Sequence, residues 1–381
     1  MKPLCLLYFG ADNSWEQLRQ SGFSRRNTNL LKAFAEHQEV GLVVNVQFHT
    51  RSQWIESCIR PNQLTTESVR IVDFGVVAFI PSFLPGAIRF NLLLNRWRIK
   101  HVVGETGKGI ISWCYWPKGY IEWKRFWDQG IMVFDADHNI AEDPHLPDKK
   151  RSRQHGLLKA VGKDAHAIVS SSRTMNRWFD DEHKVHLLMN GVDCVRFNHF
   201  SKTTSQHPPV IGYLGSLSKW MEIQWLKQLA KNHPQWRFRI GGEDHQTNIS
   251  EELSNLDNVE LCGRIAFDDV PSFIDSLSVG LSLYKSHPAV DVNSMKIYEY
   301  LAGHRPVVAL ENHPKVLTDF NGLISTAASF DAFESAIVAL IESPYGQEWQ
   351  RKVDLFLTEN QWSNRADEAL DVIHSISHIT S

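Results

Sequence analysis

The sequence lacks the marks of several classes of protein. Its five cysteines are scattered, odd in number and not spaced as metal ligands. No apolar run is as long as a membrane span, and the apolar start of the chain is too short for a signal peptide. The formal net charge of −3 provides no general attraction to nucleic acid. We therefore expect a reduced, cytoplasmic protein with no nucleic-acid partner and no metal site.

Internal repeats and low-complexity segments are also missing, which argues against a solenoid or a disordered chain. The composition, 43% apolar and 22% charged, is that of a soluble globular protein, and 381 residues suffice for two domains. Short apolar runs alternate with amphipathic helical stretches throughout. This alternation predicts an α/β fold with doubly wound parallel sheets. The predicted strands are 4–9, 40–46, 69–80, 109–114, 131–134, 167–170, 210–214, 236–240, 259–261, 279–284 and 306–310.

A polar stretch at residues 199–209 interrupts this alternation and has the composition of a linker. It predicts two Rossmann-like domains that face a cleft, residues 1–200 and residues 208–365. Ligands of such sheets bind beyond the carboxyl ends of the strands. We therefore look for functional residues where each predicted strand ends.

Residues 291–310 carry the strongest functional signal. The stretch opens polar, continues as a helix that Ser294 is suited to cap, and ends that helix at Gly303. Lys296 and Glu299 stand three residues apart and share one face near the helix start. Because a helix N-terminus attracts anions, this pair suits a ligand with phosphates and hydroxyls, such as a nucleotide sugar. An amphipathic helix with a surface ion pair explains the same residues, and these residues alone favour that interpretation.

Two glycine turns precede this stretch. Residues 210–216 predict an apolar strand that ends at Gly215 and Ser216, where the backbone can approach a phosphate closely. Lys219 follows within reach of a diphosphate, and Arg264 follows the later glycine turn, beside a base or phosphate. For each of these residues, an ordinary turn or a solvated surface cation is an equal alternative.

The order of these motifs resembles the C-terminal domain of GT-B glycosyltransferases of the group 1, or family 4, type. The helix is similar to a subgroup written Asn-Pro-x-Lys-x-Tyr-Glu-Tyr-x-Ala, with Ser294 in place of the proline. The resemblance implies that Glu299 binds the ribose hydroxyls of the donor, that Lys296 binds its diphosphate, and that no metal or other cofactor is required. The resemblance covers most of the chain, with specific motifs after residue 160 and only general similarity before it. The matching positions are Asn293, Lys296, Tyr298, Glu299, Tyr300 and Ala302, of which the first four, together with Ser294, are our donor-binding candidates in this helix.

One position departs from the family pattern. Many members carry a second glutamate before Glu299, where this chain has Asp291. Asp291 is therefore our candidate for the contact with the transferred sugar, and the departure leaves the identity of that sugar open. The family also places its last helix back on the N-terminal domain. The resemblance thus assigns residues 366–381 to the first domain.

The candidates for catalysis follow the strand at 131–134: Asp135, Asp137 and His138. Asp-x-Asp after a strand is also the metal-binding pattern of the GT-A fold, but so short a pattern is a frequent accident and the GT-B motifs outweigh it. In the family resembled, this strand end borders the cleft, so these side chains would contact the transferred sugar or the acceptor hydroxyl. Capping or a loop hydrogen bond is the alternative for any one of them.

Three further residues are acceptor-side candidates. Asp12 follows the first strand and would line the same cleft. Arg25 and Arg26 precede an amphipathic helix and would bind an anionic acceptor, although a solvated helix start explains them equally well.

Aromatic and basic residues concentrate between residues 81 and 127, with tryptophans at 97, 113, 116, 123 and 127. Apolar surface beside cations suits peripheral docking to the inner face of an anionic membrane. A core helix with a charged outer face, or a platform for stacking sugar rings, fits the same residues.

By resemblance, the protein is expected to transfer a sugar from a nucleoside-diphosphate sugar, with UDP favoured, to a hydroxyl of a saccharide or lipid-linked acceptor in polysaccharide synthesis. Retention is mildly favoured, because the leaving phosphate can take the acceptor proton. Inversion would need Asp135, Asp137 or His138 as the base. The rivals are a nucleotide-sugar epimerase or hydrolase of the same fold and a non-catalytic nucleotide-sugar-binding subunit.

Overall fold

The computed structural model describes residues 4–10, 13–48, 70–76, 86–104, 109–115, 124, 127, 130–137, 140–143, 146–171, 175–198, 207–244, 247–285, 293–311, 318–320 and 322–380. The chain divides into two compact units, Met1–Met189 with Trp362–Ser381, and Asn190–Gln361. Each unit contains one sheet whose described strands all pair in parallel. The predicted α/β class with two doubly wound sheets is confirmed.

The first unit is built on a seven-stranded sheet in the order β3-β2-β1-β4-β5-β6-β7. Its elements run β1 Leu4–Phe9, α1 Trp15–Ser21, α2 Arg26–Glu36, β2 Val40–Phe48, β3 Ile71–Val76, α3 Ala87–Val103, β4 Ile110–Cys114, β5 Ile131–Asp135, α4 Asp148–Asp164, β6 Ala167–Ser170 and β7 Val185–Leu187.

The central strand β1 shows why this sheet has helices on both faces. Every residue from Cys5 to Phe9 is buried. Leu7 belongs to a hydrophobic cluster that includes Ile99 of α3, whereas the Tyr8 ring lies 6.5 Å from that of Phe34 in α2. A continuous apolar run therefore forms the strand, because both of its faces are covered.

The second unit is built on a six-stranded sheet in the order β10-β9-β8-β11-β12-β13. Its elements run β8 Val210–Leu214, α5 Ile223–Asn232, β9 Arg237–Gly241, α6 Ile249–Ser254, β10 Val259–Gly263, α7 Val270–Asp275, β11 Val279–Ser282, α8 Met295–Ala302, β12 Val307–Leu310, β13 Ser325–Ala327, α9 Phe330–Glu342 and α10 Gln347–Glu359. Alternate residues of β8 join different core clusters: Ile211 and Tyr213 on one face, Val210 and Leu214 on the other.

The last helix, α11 Trp362–Thr380, belongs to the first unit. It packs on α2 and against β5 and β6. Side-chain hydrogen bonds flank the contact, with His37 bound to Asp367 at 2.8 Å and Glu39 to His374 at 2.9 Å. The predicted return of the C-terminal helix to the N-terminal domain is confirmed.

The observed boundaries differ from the predicted ones at a few points. The first unit ends at Met189 rather than at residue 200, because Val192 donates a backbone hydrogen bond to Asn360 and so joins the second unit. The strands β7 and β13 were not predicted. Both are three residues long and lie at sheet edges, so they are too short to show a periodic pattern. Among the described helices, none combines the length and apolar character needed to cross a membrane.

Candidate active site

Glycines end three neighbouring strands of the second sheet. Gly215 follows β8, Gly242 follows β9 and Gly263 ends β10, with φ of 139°, 157° and 63°. L side chains rarely adopt such angles. The N–H of Gly242 donates to the Gly263 carbonyl at 2.7 Å, and a Cβ at Gly242 would overlap the carbonyl oxygen of Gly215. We call this bare backbone, formed by Gly215, Gly242 and Gly263, the glycine edge. A ligand can approach it closely.

The ammonium group of Lys296 lies against the glycine edge. Lys296 is in the first turn of α8 and is 7% exposed, and a Cβ placed on Gly215 would lie 2.7 Å from its Nζ. Nζ is 4.1 Å from the ring centroid of Tyr213 and 4.3 Å from that of Tyr284. Within the described ranges, no acceptor forms a hydrogen bond of normal geometry with it, although the Tyr213 hydroxyl is close enough to raise its pKa. The aromatic rings stabilise this cation without neutralising it, so an anionic ligand oxygen would supply the missing partner.

Lys296 remains protonated at neutral pH. Burial lowers the pKa of its ammonium group, but the tyrosine oxygens around it raise the pKa by more, so the net pKa lies above the usual value. A buried cation therefore stands at the N-terminus of α8, where the helix dipole also favours negative charge. This is the electrostatic environment that a diphosphate requires.

Tyr300 positions the glycine edge. Its hydroxyl accepts a hydrogen bond from the Leu214 N–H at 2.7 Å, at the end of β8. A Cβ on Gly280 would lie 2.7 Å from the Tyr300 ring, so that ring packs directly on the backbone of β11. In the sequence, Tyr300 was identified only as a position that matches the family helix. The pattern does not indicate which strand the tyrosine hydroxyl contacts, so this structural role was missed.

Tyr298 requires a correction. It was predicted as a donor-binding residue, but it is 1% exposed, and its ring lies 5.0 Å from that of Phe320 and 5.6 Å from that of Phe356. It belongs to the hydrophobic core and offers no surface to a ligand.

Glu299 is held by a cation that sequence reasoning missed. Its Oε1 lies 3.8 Å from Nη1 of Arg196, and the two side chains are 21% and 16% exposed. The Arg196 guanidinium stacks over the Phe267 ring at 3.5 Å and donates to the Phe267 carbonyl. Burial raises the pKa of Glu299, while Arg196 and Lys296 lower it. The only available signal was a cation six residues after the Asn190-Gly turn, which does not indicate its partner.

The start of α8 is tied to that Asn-Gly turn. The Asn190 N–H donates to Oδ1 of Asn293 at 3.1 Å, and the Asn190 side-chain amide donates to the Asn293 carbonyl. Asn293 is 1% exposed. Ser294 occupies the N-cap position, as predicted, but its side chain makes no capping hydrogen bond. Asn293, predicted as a donor contact, therefore fixes the helix start, and the Ser294 hydroxyl is not used as a cap.

Of the remaining predicted donor-binding residues, three are exposed at the surface and one lies outside the described residues. Ser216, Lys219 and Arg264 are exposed, and Nζ of Lys219 lies 5.1 Å from the ring centroid of Trp220. Asp291 lies outside the described residues. The roles assigned to these four residues stay predictions.

In the first unit, Arg26 and Asp135 form a buried ion pair at the end of β5. Nε of Arg26 lies 3.0 Å from Oδ1 of Asp135, with the side chains 2% and 0% exposed, and Nη1 donates to the Met189 carbonyl at 3.1 Å. Burial raises the pKa of Asp135 to about 6, against the opposing effect of Arg26. Two predictions are corrected: Arg26 lies inside rather than at an acceptor, and Asp135 has no exposed surface from which to take a substrate proton.

Of the two candidate carboxylates Asp135 and Asp137, Asp137 is the one that reaches the surface. Its side chain is 20% exposed. It accepts hydrogen bonds from the Tyr115 hydroxyl at 2.7 Å and the Ser171 hydroxyl at 3.1 Å. Arg26 lies 3.9 Å away. These contacts fix the orientation of the Asp137 carboxylate.

The structure says less about the other predicted site residues of the first unit. Arg25 is exposed at the start of α2, whereas Asp12 and His138 lie outside the described residues. Of the predicted aromatic cluster, Trp113 and Trp127 are buried in the core, which fits the core interpretation of these residues rather than the surface one. Within the described part of the chain, no three histidine, cysteine, aspartate or glutamate side chains are grouped to hold a metal ion.

Residues 208–343 match the family model described as glycosyl transferases group 1. The match contains the glycine edge, Lys296 and Glu299. The second unit carries a group 1 glycosyltransferase domain.

One curated relative of this chain is TuaH of Bacillus subtilis strain 168, a teichuronic acid biosynthesis glycosyltransferase whose own name marks that assignment as provisional. The two are 27% identical over 158 residues, which covers 38% of this chain and 40% of the relative. The match thus spans less than half the length of the relative.

Solved glycosyltransferase structures resemble the whole chain. Sucrose-phosphate synthase from Thermosynechococcus elongatus has a TM-score of 0.69 at 14% identity, with 100% of both chains covered. The UDP-forming α,α-trehalose-phosphate synthase from Burkholderia vietnamiensis has a TM-score of 0.66 at 10% identity, covering 98% of this chain and 99% of that one. Anabaena HepE, in complex with UDP and glucose, has a TM-score of 0.60 at 13% identity, covering 100% and 99%. The fold is GT-B, as predicted.

Proposed function

We propose that the protein is a glycosyltransferase that moves a sugar from a nucleoside-diphosphate sugar, with UDP favoured, to a hydroxyl of a saccharide or lipid-linked acceptor. The observation that carries this proposal is the buried Lys296 ammonium against the Gly215 backbone, with no described carboxylate beside it and no hydrogen bond of normal geometry to a described acceptor. A diphosphate provides such acceptors. The group 1 domain at residues 208–343 supports the same class of donor.

In this reaction the bond from the sugar anomeric carbon to the diphosphate oxygen breaks, and a bond to the acceptor oxygen forms. Charge builds on the diphosphate as it leaves. Lys296 and the N-terminus of α8 would stabilise that charge without a metal ion, and the glycine edge would leave room for the diphosphate beside them. Glu299, fixed by Arg196, would accept hydrogen bonds from the ribose hydroxyls.

The proton of the acceptor hydroxyl has two destinations. In a retaining reaction it passes to the departing diphosphate oxygen, and no protein base is needed. In an inverting reaction a carboxylate or a histidine must take it. Asp137 suits that role better than Asp135, because Asp135 has no exposed surface, and His138 stays a candidate. We retain a mild preference for the retaining reaction, and we place the saccharide or lipid-linked acceptor with the first unit, in polysaccharide synthesis.

Calorimetric titration of the full chain with UDP tests the donor site. We expect the unmodified protein to bind UDP and Glu299→Gln to weaken binding roughly 10- to 100-fold, because hydrogen bonds to a charged group are worth about 1.5–3 kcal/mol. Lys296→Met should abolish detectable binding. Glu342→Gln, at an exposed glutamate near the end of α9, is the matched control and should bind as the unmodified protein does.

Release of nucleoside diphosphate from a panel of nucleotide sugars, with and without acceptors, then tests transfer. Release that requires an acceptor supports a transferase over a hydrolase. Failure of every donor to bind would refute the proposal, and activity abolished by a chelator would refute its metal-free form.

A further inference from the structure

Helix α3 of the first unit exposes a stripe of large apolar side chains. Phe90, Leu93 and Trp97 are 47%, 59% and 66% exposed. Their spacing of three and four residues places them on one face of the helix. The Trp97 ring stacks on that of His101, with centroids 6.0 Å apart and planes inclined by 12°. We call Phe90, Leu93 and Trp97 the apolar stripe.

The face of α3 opposite the apolar stripe packs against the rest of the first unit. Ile99 and Val103 are buried in the core cluster that contains β1. Arg98 donates from Nη1 to the Gly75 carbonyl at 2.9 Å, and its guanidinium lies 4.8 Å from the centroid of the Phe74 ring. The stripe is therefore the outer face of an anchored helix.

The charge of α3 has a single sign. Its 17 residues include four basic side chains and no aspartate or glutamate, although the whole chain has a formal net charge of −3. At 100° per residue, Arg89, Arg96 and Lys100 fall along one border of the apolar stripe. Arg89 and Lys100 are exposed. Long basic side chains can rest their methylene stems on an apolar boundary while the charge reaches outward.

An exposed apolar stripe edged by cations is the pattern of a helix that lies in a membrane interface. A second copy of this chain fits less well, because a symmetric contact would bring two helices of the same charge together. The other exposed large apolar residues of the described chain are scattered over different elements and form no such stripe: Leu187, Val195, Leu261 and Leu355.

We propose that α3 docks the first unit on an anionic lipid surface. The apolar stripe enters the boundary between head groups and acyl chains, and Arg89, Arg96 and Lys100 bind lipid phosphates. This inference does not depend on the donor site of the second unit, so each proposal can fail without the other.

Sedimentation of the full chain with lipid vesicles tests the docking. We expect binding to vesicles that mix phosphatidylglycerol with phosphatidylcholine, weaker binding as salt is added, and little binding to phosphatidylcholine alone. The charge variant Arg89→Gln/Arg96→Gln/Lys100→Gln should lower the partition coefficient on the order of 100-fold, since each cation near an anionic surface is worth about a five-fold change. The stripe variant Phe90→Ser/Leu93→Ser/Trp97→Ser should lower it by a similar factor.

The matched control is Leu355→Ser, which removes a 62% exposed leucine from α10 of the other unit and should leave vesicle binding unchanged. Circular dichroism and thermal unfolding verify that each variant is folded. Equal binding to both kinds of vesicle, no binding to either, or stripe and charge variants that bind normally would overturn the proposal. A stripe-dependent dimer in analytical ultracentrifugation, without vesicle binding, would identify a second copy as the occupant and also overturn it.

Discussion

Two buried ionisable side chains show how similar burial leads to different roles. Asp135 is compensated inside the first unit by Arg26, so its charge needs no ligand. Lys296 is surrounded by tyrosine rings and makes no hydrogen bond of normal geometry to an acceptor among the described residues. Removing a charge from water is costly unless a partner replaces the lost hydration. The first arrangement is structural, and under our proposal the second binds the diphosphate of the donor.

Asp135 should give the protein a measurable pH dependence. Its folded pKa of about 6 lies above the ordinary value of 3.8. Its contribution to stability is therefore full below about pH 4 and is lost as the pH rises through 6. Relative to Asp135→Asn, the free energy of unfolding should fall by roughly 3 kcal/mol from pH 4 to pH 7, at about 1.4 kcal/mol per pKa unit.

Urea unfolding followed by fluorescence at a series of pH values measures this difference. The variant removes the carboxylate partner of Arg26 at every pH, so only the change with pH is informative. Parallel pH profiles of the two proteins would show that Asp135 does not titrate in this range.

At the scale of elements, α4 contains two glycines in contrasting surroundings. A Cβ on Gly156 would meet nothing within 4 Å, whereas a Cβ on Gly162 would overlap the ring of Phe179, which is 6% exposed. Glycine in a helix interior costs stability because the unfolded chain is so free. Only the second glycine is required by packing.

The two alanine variants should therefore change stability in opposite directions. Gly156→Ala should raise the free energy of unfolding by roughly 0.5–1 kcal/mol, and Gly162→Ala should lower it by about 1–3 kcal/mol through overpacking. Thermal unfolding of both variants beside the unmodified protein measures the difference. A stabilised Gly162→Ala would mean that Phe179 can move aside.

At the scale of the whole molecule, the last helix of the chain completes the first unit. Ala366, Ala369, Leu370 and Ile373 of α11 are each at most 2% exposed, and α11 packs on α2. Stability of the first unit therefore depends on residues that follow the entire second unit in sequence.

Leu370→Ala should destabilise the first unit by about 2–5 kcal/mol, the usual range for truncating a buried leucine. Hydrogen exchange followed by mass spectrometry should show faster exchange in peptides from β1 to β7 and little change in peptides from β8 to β12. Leu355→Ala, at an exposed position, serves as the control. Faster exchange confined to the second unit would contradict the assignment of α11.

The sequence by itself determined the α/β class, most strands of both sheets and the Lys296–Glu299 pair, because short apolar runs, period-3.6 patterns and glycine turns are local properties of the chain. Only the tertiary structure decided which functional candidates are available to a ligand. It buried Arg26, Asp135, Asn293 and Tyr298, brought Arg196 to Glu299 across 103 residues of sequence, and turned the apolar stripe of α3 outward. These outcomes depend on which distant elements pack together, and no local pattern encodes that.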